Sequence, residues 1–214
     1  MHTLGIGSSR APGVLPVRDA QLYIPASATA ASALPLVVLL HGSGGSRGDW
    51  FGSYAQRADT HGFAMLAPDS RDLSWDLIWN GRFEDDVRFI DRALAWTFDH
   101  LRIDAARIAL AGFSDGASYA LSLGLSNGDL FSRLVAYAPC ILTPGDVRGK
   151  PQVFVAHGTN DSVLPIDSCS RALVPRLRTD GYTVRFDEFT GGHEVPNAVS
   201  TAAMSWLAST WAGA

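Results

Sequence analysis

The chain has 214 residues, 47% of them hydrophobic and 18% charged, with a formal net charge of −4. That is enough apolar material for one well-buried core, and the expectation is a single domain over residues 1–214. The mild acidic balance carries no electrostatic footprint for nucleic acid or an anionic membrane, and no apolar run approaches the roughly 18 residues of a membrane helix.

The first residues, "MHTLGIGSSRAPGVLP", lack the basic start and continuous apolar stretch of a secretory leader, so a cytoplasmic location is the default expectation. An exported protein whose leader had been removed would read the same way. "PASATAASALP" at 25–35 is a small-residue loop between two apolar runs. From there short runs rich in Val, Leu, Ile and Phe alternate with helical patterns. The runs are "LVVLL" at 36–40, "FAMLA" at 63–67, "RIALA" at 107–111, "RLVAYA" at 133–138, "QVFVA" at 152–156 and "YTVRFD" at 182–187. Each predicts a strand buried on both faces, as in a parallel sheet.

Helical spacing appears between them. Trp50, Tyr54 and Ala58 share one face of "GDWFGSYAQRADTHG". "FEDDVRFIDRALAWTFDHL" opens on acidic residues and places Val87, Ile90, Leu94 and Phe98 along one side. Further helices are expected at 115–127, 166–179 and 196–211. This alternation predicts an α/β fold, a mostly parallel central sheet with helices on both faces. In such sheets the functional groups gather in loops after the carboxyl ends of strands.

"GFSDG", directly after "IALA", matches G-x-S-x-G and puts Ser114 on a strand-to-helix turn. A second match, "GLSNG" at 124–128, has no strand before it and reads as a helix end with Gly128 as a C-cap candidate. "HGSGG" after "LVVLL" has neither GK[ST] nor G-x-G-x-x-G, so it is no phosphate loop. It suits one half of an oxyanion hole, with the Ser43 N–H as first choice of donor and Gly44 as second. The other half is the N–H of Asp115, the residue after the serine. "HGTNDSVLP" offers Asp161 and "TGGHEVP" offers His193, each in its own post-strand loop. The order Ser114, Asp161, His193 is the one that partners of an elbow serine follow. His157 precedes Asp161 and breaks it. Asp187 and Glu188 are the rival acids, but they stand too close to His193 in the chain to leave its ring room to swing.

With these motifs in hand, the chain resembles the α/β-hydrolase superfamily. "LLHGSGG", "GFSDG", "HGTNDSVLP" and "GGHEVP" carry the likeness over residues 36–197. More narrowly it is similar to the small phospholipase/carboxylesterase and acyl-protein-thioesterase group, with features of polyhydroxybutyrate-depolymerase and feruloyl-esterase relatives. The carboxylesterase group usually has Gln where this chain has Asp115. The segments between motifs are short, so no large lid domain is expected.

The implied function is a serine carboxylesterase acting on a small-molecule ester of short to medium acyl chain, needing no metal or organic cofactor. Acyl-protein thioesterase and deacylase of aromatic or sugar esters share the same residues, and a non-catalytic binding module on the same fold is the alternative from another class. Trp75, Trp79 and Phe83 are expected to wall the acyl pocket, with Val163 and Leu164 opposite; packing of the aromatics beneath their loop is the competing reading. Cys140 and Cys169 form no metal-spaced pair and no CxxC, and read as small buried hydrophobes of a reducing compartment. Oligomeric state is not legible.

Overall fold

The apolar runs pair into one sheet. The computed structural model describes residues 2–4, 19–29, 31 and 33–212. Most of the N-terminal stretch read above for a leader, and part of the 25–35 loop, lie outside the described residues. The strands are β1 (His2–Leu4), β2 (Ala20–Tyr23), β3 (Leu34–Leu40), β4 (Ala64–Pro68), β5 (Ile103–Phe113), β6 (Arg133–Tyr137), β7 (Gln152–Gly158) and β8 (Val184–Phe189). The helices are α1 (Gly48–His61), α2 (Asp76–Asn80), α3 (Asp85–His100), α4 (Asp115–Ser126), α5 (Ser170–Thr179) and α6 (Asn197–Ala212). Strand order is β1-β2-β4-β3-β5-β6-β7-β8. β1 and β2 run antiparallel at one edge, and every pair from β4 to β8 is parallel.

Side chains of a strand alternate between faces, and β3 shows what that does here. Leu36, Val38 and Leu40 enter one core with α3, α4 and α5, while Val37 and Leu39 enter a second with α1 and α6. Both faces are therefore covered, as a parallel sheet requires. From β3 the chain crosses to β4 on one side and then to β5 on the other. That reversal opens a crevice at the carboxyl ends of β3 and β5.

Several expectations change. The strand read at 182–187 as buried on both faces is the edge strand β8, half exposed, with Arg185, Asp187 and Glu188 charging it. Charges on an edge discourage pairing with another chain. On α3 the buried face is Asp86, Phe89, Ile90, Ala93, Leu94 and Thr97, and Phe98 points outward at 41% exposure. Gly128 is not a cap, because α4 ends on Asn127 and Gly128 instead bridges to Gly149. β1, β2 and α2 were not read at all. Among the described residues no helix is long and apolar enough to cross a membrane.

The cysteines are the largest correction. Cys140, in the loop after β6, and Cys169, just before α5, are joined by a disulfide with their Cα atoms 4.3 Å apart. Twenty-nine positions separate them in the chain, so the spacing carries no motif. A disulfide of this kind belongs to oxidising compartments and removes the basis for the reducing-compartment reading. It closes a loop whose entropy, lost from the unfolded chain, stabilises the fold by about 2–4 kcal/mol. Urea unfolding with and without reductant should differ by that amount, and Cys140→Ser should match the reduced protein. Equal midpoints under both conditions would contradict the crosslink's contribution.

Candidate active site

β5 ends on Phe113 and α4 begins on Asp115, leaving one residue to make the turn. Ser114 makes it at φ 57° and ψ −120°, a conformation that costs an L-residue about 1–3 kcal/mol. The neighbours hold it there. The Ser114 N–H donates to the Tyr137 carbonyl at 2.9 Å. A Cβ on Gly112 would strike the backbone of Gly116, and one on Gly116 would strike the Leu40 and His41 carbonyls. Both glycines of "GFSDG" are thus required by close backbone approach. The result is a hydroxyl raised at the end of the sheet, with the first N–H groups of α4 beside it.

His193 brings two hydrogen bonds together. Its Nε2 lies 2.9 Å from Ser114 Oγ and its Nδ1 2.7 Å from Asp161 Oδ2. Phe113 packs against the imidazole, ring centroids 4.7 Å apart. Asp161 Oδ1 in turn accepts the N–H groups of Val163 and Leu164 at 2.9 and 2.8 Å. Burial alone would raise the Asp161 carboxyl, but the Leu164 N–H, His193 and the Val163 N–H outweigh it and hold it below the usual carboxylate range. The rival acids are engaged elsewhere. Asp187 pairs with Arg185 at 2.7 Å, and Glu188 pairs with Arg171.

The "HGSGG" loop lies against the nucleophile: a Cβ on Gly42 would come within 3.4 Å of the Ser114 Cβ. The Gly44 N–H is taken by the Leu73 carbonyl at 2.7 Å, which removes it as a donor to substrate. The N–H groups of Ser43 and Asp115 have no such acceptor among the described residues. The Asp115 carboxylate turns away and accepts a hydrogen bond from Ser74 Oγ at 2.6 Å. His41 braces the loop, its Nδ1 donating to the Gly42 carbonyl and its Nε2 accepting the Ser70 N–H at 3.0 Å.

The expected pocket wall is rearranged. Trp75 is fully buried, donates from Nε1 to the His41 carbonyl at 2.8 Å, and stacks between His41 and Tyr119. It buttresses the glycine loop from below and cannot touch a substrate. Phe83 packs edge-on to Tyr119 in the same core. Trp79 is 62% exposed and borders a cavity of about 360 Å³ with Arg71, Asp72, Ser74, Asn80 and Glu84. Val163 is exposed and Leu164 half-buried, and it is their backbone that reaches the triad. A second cavity of about 210 Å³ is lined by Gly42, Asp49, Trp50, Tyr54, Phe113 and Val195. Sequence reading missed this one because Trp50 and Tyr54 look only like a core-facing helix stripe. Ser74 was missed too, since no motif surrounds it. Among the described residues, no three His, Cys, Asp or Glu side chains converge as a metal site.

The fold is that of the α/β-hydrolases. The BD-FAE family model matches residues 20–138, over half of the chain, and the chain belongs to that family. It is 29% identical over 142 residues to a probable acetylxylan esterase A of Aspergillus flavus, covering 60% of this chain and 46% of that one. It is 28% identical over 127 residues to feruloyl esterase B of Thermothelomyces thermophilus, covering 55% and 43% respectively. The chain thus spans a little under half the length of the curated relatives it matches. Among solved structures, esterase PE8 superposes with a TM-score of 0.74 at 25% identity, over 87% of this chain and 96% of that one.

The Asp161 environment has a consequence for stability. A carboxyl held below its unfolded value of about 3.9 contributes stability that is complete above that pH and lost as pH falls through its folded value. Asp161→Asn removes the titration. Wild-type urea midpoints should therefore fall more steeply than those of the variant below about pH 4, closing the gap between them. Parallel curves down to about pH 3 would show that the carboxylate is not held ionised by its neighbours.

Proposed function

We propose that the protein hydrolyses esters of short acyl groups on polar, saccharide-like alcohols, through Ser114, His193 and Asp161 and an acyl-enzyme. The observation that carries this reading is the hydrogen-bonded series Ser114–His193–Asp161, at 2.9 and 2.7 Å, on a strained turn. Ser114 Oγ attacks the ester carbonyl while His193 Nε2 takes its proton. His193 then delivers that proton to the departing alcohol, and water repeats the sequence on the acyl-enzyme. Asp161 holds the proton on Nδ1 and stabilises the imidazolium. The Ser43 and Asp115 N–H groups face the developing oxyanion, each contributing about 2.7–4 kcal/mol of barrier lowering by analogy with known donors.

The two cavities suggest the two halves of the substrate. The 210 Å³ cavity beside Gly42 and Phe113 is walled by Trp50, Tyr54 and Val195 and suits an apolar acyl group. At about 30 Å³ per water it holds roughly seven waters' worth of space, so a long chain does not fit. The 360 Å³ cavity borders Ser74, whose hydroxyl bonds the Asp115 carboxylate, and is lined by amide, hydroxyl and charged groups around an exposed indole. An indole face and a ring of hydrogen-bonding groups match the C–H face and hydroxyls of a sugar. The acetylxylan and feruloyl esterase names of the relatives agree with that pairing.

Ser114→Ala should lower kcat/KM on p-nitrophenyl acetate by at least about 10⁴-fold with its melting curve intact. Ser126→Ala, from the second G-x-S-x-G, should stay within about twofold of wild type in activity, since its hydroxyl bonds only the Ser122 carbonyl and the Gly145 N–H, at the far end of α4 from Ser114. Equal losses in both variants would refute the assignment. Trp79→Ala should raise KM about tenfold for an acetylated xylo-oligosaccharide, the loss of about 1.4 kcal/mol, and leave p-nitrophenyl acetate unaffected. A feruloylated oligosaccharide turned over faster than the acetylated one would move the acyl assignment to aromatic groups.

A further inference from the structure

His157 ends β7 and was set aside by its position in the chain, yet it is fully buried against the acid of the triad. Its Nε2 lies 2.8 Å from the Leu164 carbonyl and 3.2 Å from Asp161 Oδ2. Its Nδ1 lies 2.7 Å from Ser170 Oγ, at the start of α5. A carbonyl can only accept, so a hydrogen sits on Nε2. Burial disfavours a second ring proton, so Nδ1 accepts the Ser170 hydroxyl proton at 2.7 Å in preference to the Pro139 carbonyl at 3.5 Å. Asp161 Oδ2 thus meets two histidines at once, His193 Nδ1 from the solvent side and His157 Nε2 from within.

We propose that His157 is a positioning residue for catalysis: locked in its Nε2–H tautomer by Ser170, it aims one shared hydrogen at Leu164 O and Asp161 Oδ2 and fixes the carboxylate edge that His193 meets. This rests on the triad reading above. With it, Asp161 has a donor in every direction: Val163 and Leu164 N–H on Oδ1, His193 and His157 on Oδ2. The carboxylate cannot rotate without losing several bonds together, so the His193 ring is held in the plane that reaches Ser114. His157 cannot itself be the base, being enclosed on the far side of Asp161 from the serine. The other charged groups around it are accounted for. Glu188, its register partner on β8, is neutralised by Arg171, and His193 lies across Asp161. The arrangement also reaches the crosslink, since Ser170 directly follows Cys169.

The test compares His157→Leu, His157→Gln and Ser170→Ala with wild type on p-nitrophenyl acetate across pH. His157→Leu should lower kcat by about 10- to 100-fold, the rate equivalent of one hydrogen bond to a charged group, with KM little changed. The acid limb of its kcat/KM profile should move to higher pH. Without the His157 donor, Oδ2 carries more charge and favours protonated His193. His157→Gln, which keeps an N–H, should recover part of kcat and return the limb toward wild type. Ser170→Ala releases the tautomer and should shift the limb the same way with a smaller loss; it also decides the matter if His157→Leu does not fold. An unmoved limb in every folded variant would overturn the proposal, whether or not kcat falls. Ser114→Ala assayed alongside separates the two failures: if it stays active, the triad reading fails, and if it is inactive, only the His157 role does.

Discussion

The backbone of Ser114 sits at φ 57° because three close approaches leave it nowhere else to go: Gly112 against Gly116, Gly116 against the end of β3, and its own N–H on Tyr137 O. The second and third approaches tie the turn to the strands on either side of β5, so it depends on the centre of the sheet. β5 pairs with β3 on one side and β6 on the other, and both neighbours contribute an atom to the constraint. About 1–3 kcal/mol of local strain is a small cost against the cores buried on both faces of the central strands. The same geometry that lifts Oγ also presents the first N–H of α4, so the proposed nucleophile and one proposed oxyanion donor arise from one feature.

The acid side is built by a different means. The loop after β7 wraps its own backbone around Asp161, through Val163 and Leu164, and β7 supplies His157 from behind. A buried carboxylate is stable only when its lone pairs are taken, and here four donors surround it. The disulfide joins the loop after β6 to the start of α5, where Ser170 holds His157. Ser118, one turn beyond the nucleophile on α4, accepts the N–H groups of Cys140 and Ile141. Nucleophile helix, crosslinked loop and acid support therefore form one connected body.

The parallel strands and the long helices were legible because each leaves a local period in the chain. That Ser114, Asp161 and His193 would meet was legible because strand ends and loop order are local signals too. What escaped depends on contacts between distant residues. Cys140 and Cys169 meet only once β6 and α5 are docked, so their spacing says nothing. Trp75 and Trp79 lie four positions apart, the first just before α2 and the second within it, yet the first supports His41 and the second faces solvent. Composition cannot separate them; the turn into α2 does. His157 breaks the chain order expected of a base, and that order says nothing about residues that hold the acid. The run at 182–187 read as buried on Tyr182, Val184 and Phe186, and an edge position is a property of the sheet, not of the strand.

The central claim is that one serine, on the elbow and nowhere else, is the nucleophile. Incubating the folded protein with a fluorophosphonate, then measuring intact mass and mapping the peptides, tests it directly. The account predicts a single phosphonyl adduct, located on Ser114, whose appearance parallels the loss of ester hydrolysis. Hydrolysis that survives full labelling of Ser114, or inactivation accompanied by an adduct at another residue, would contradict it.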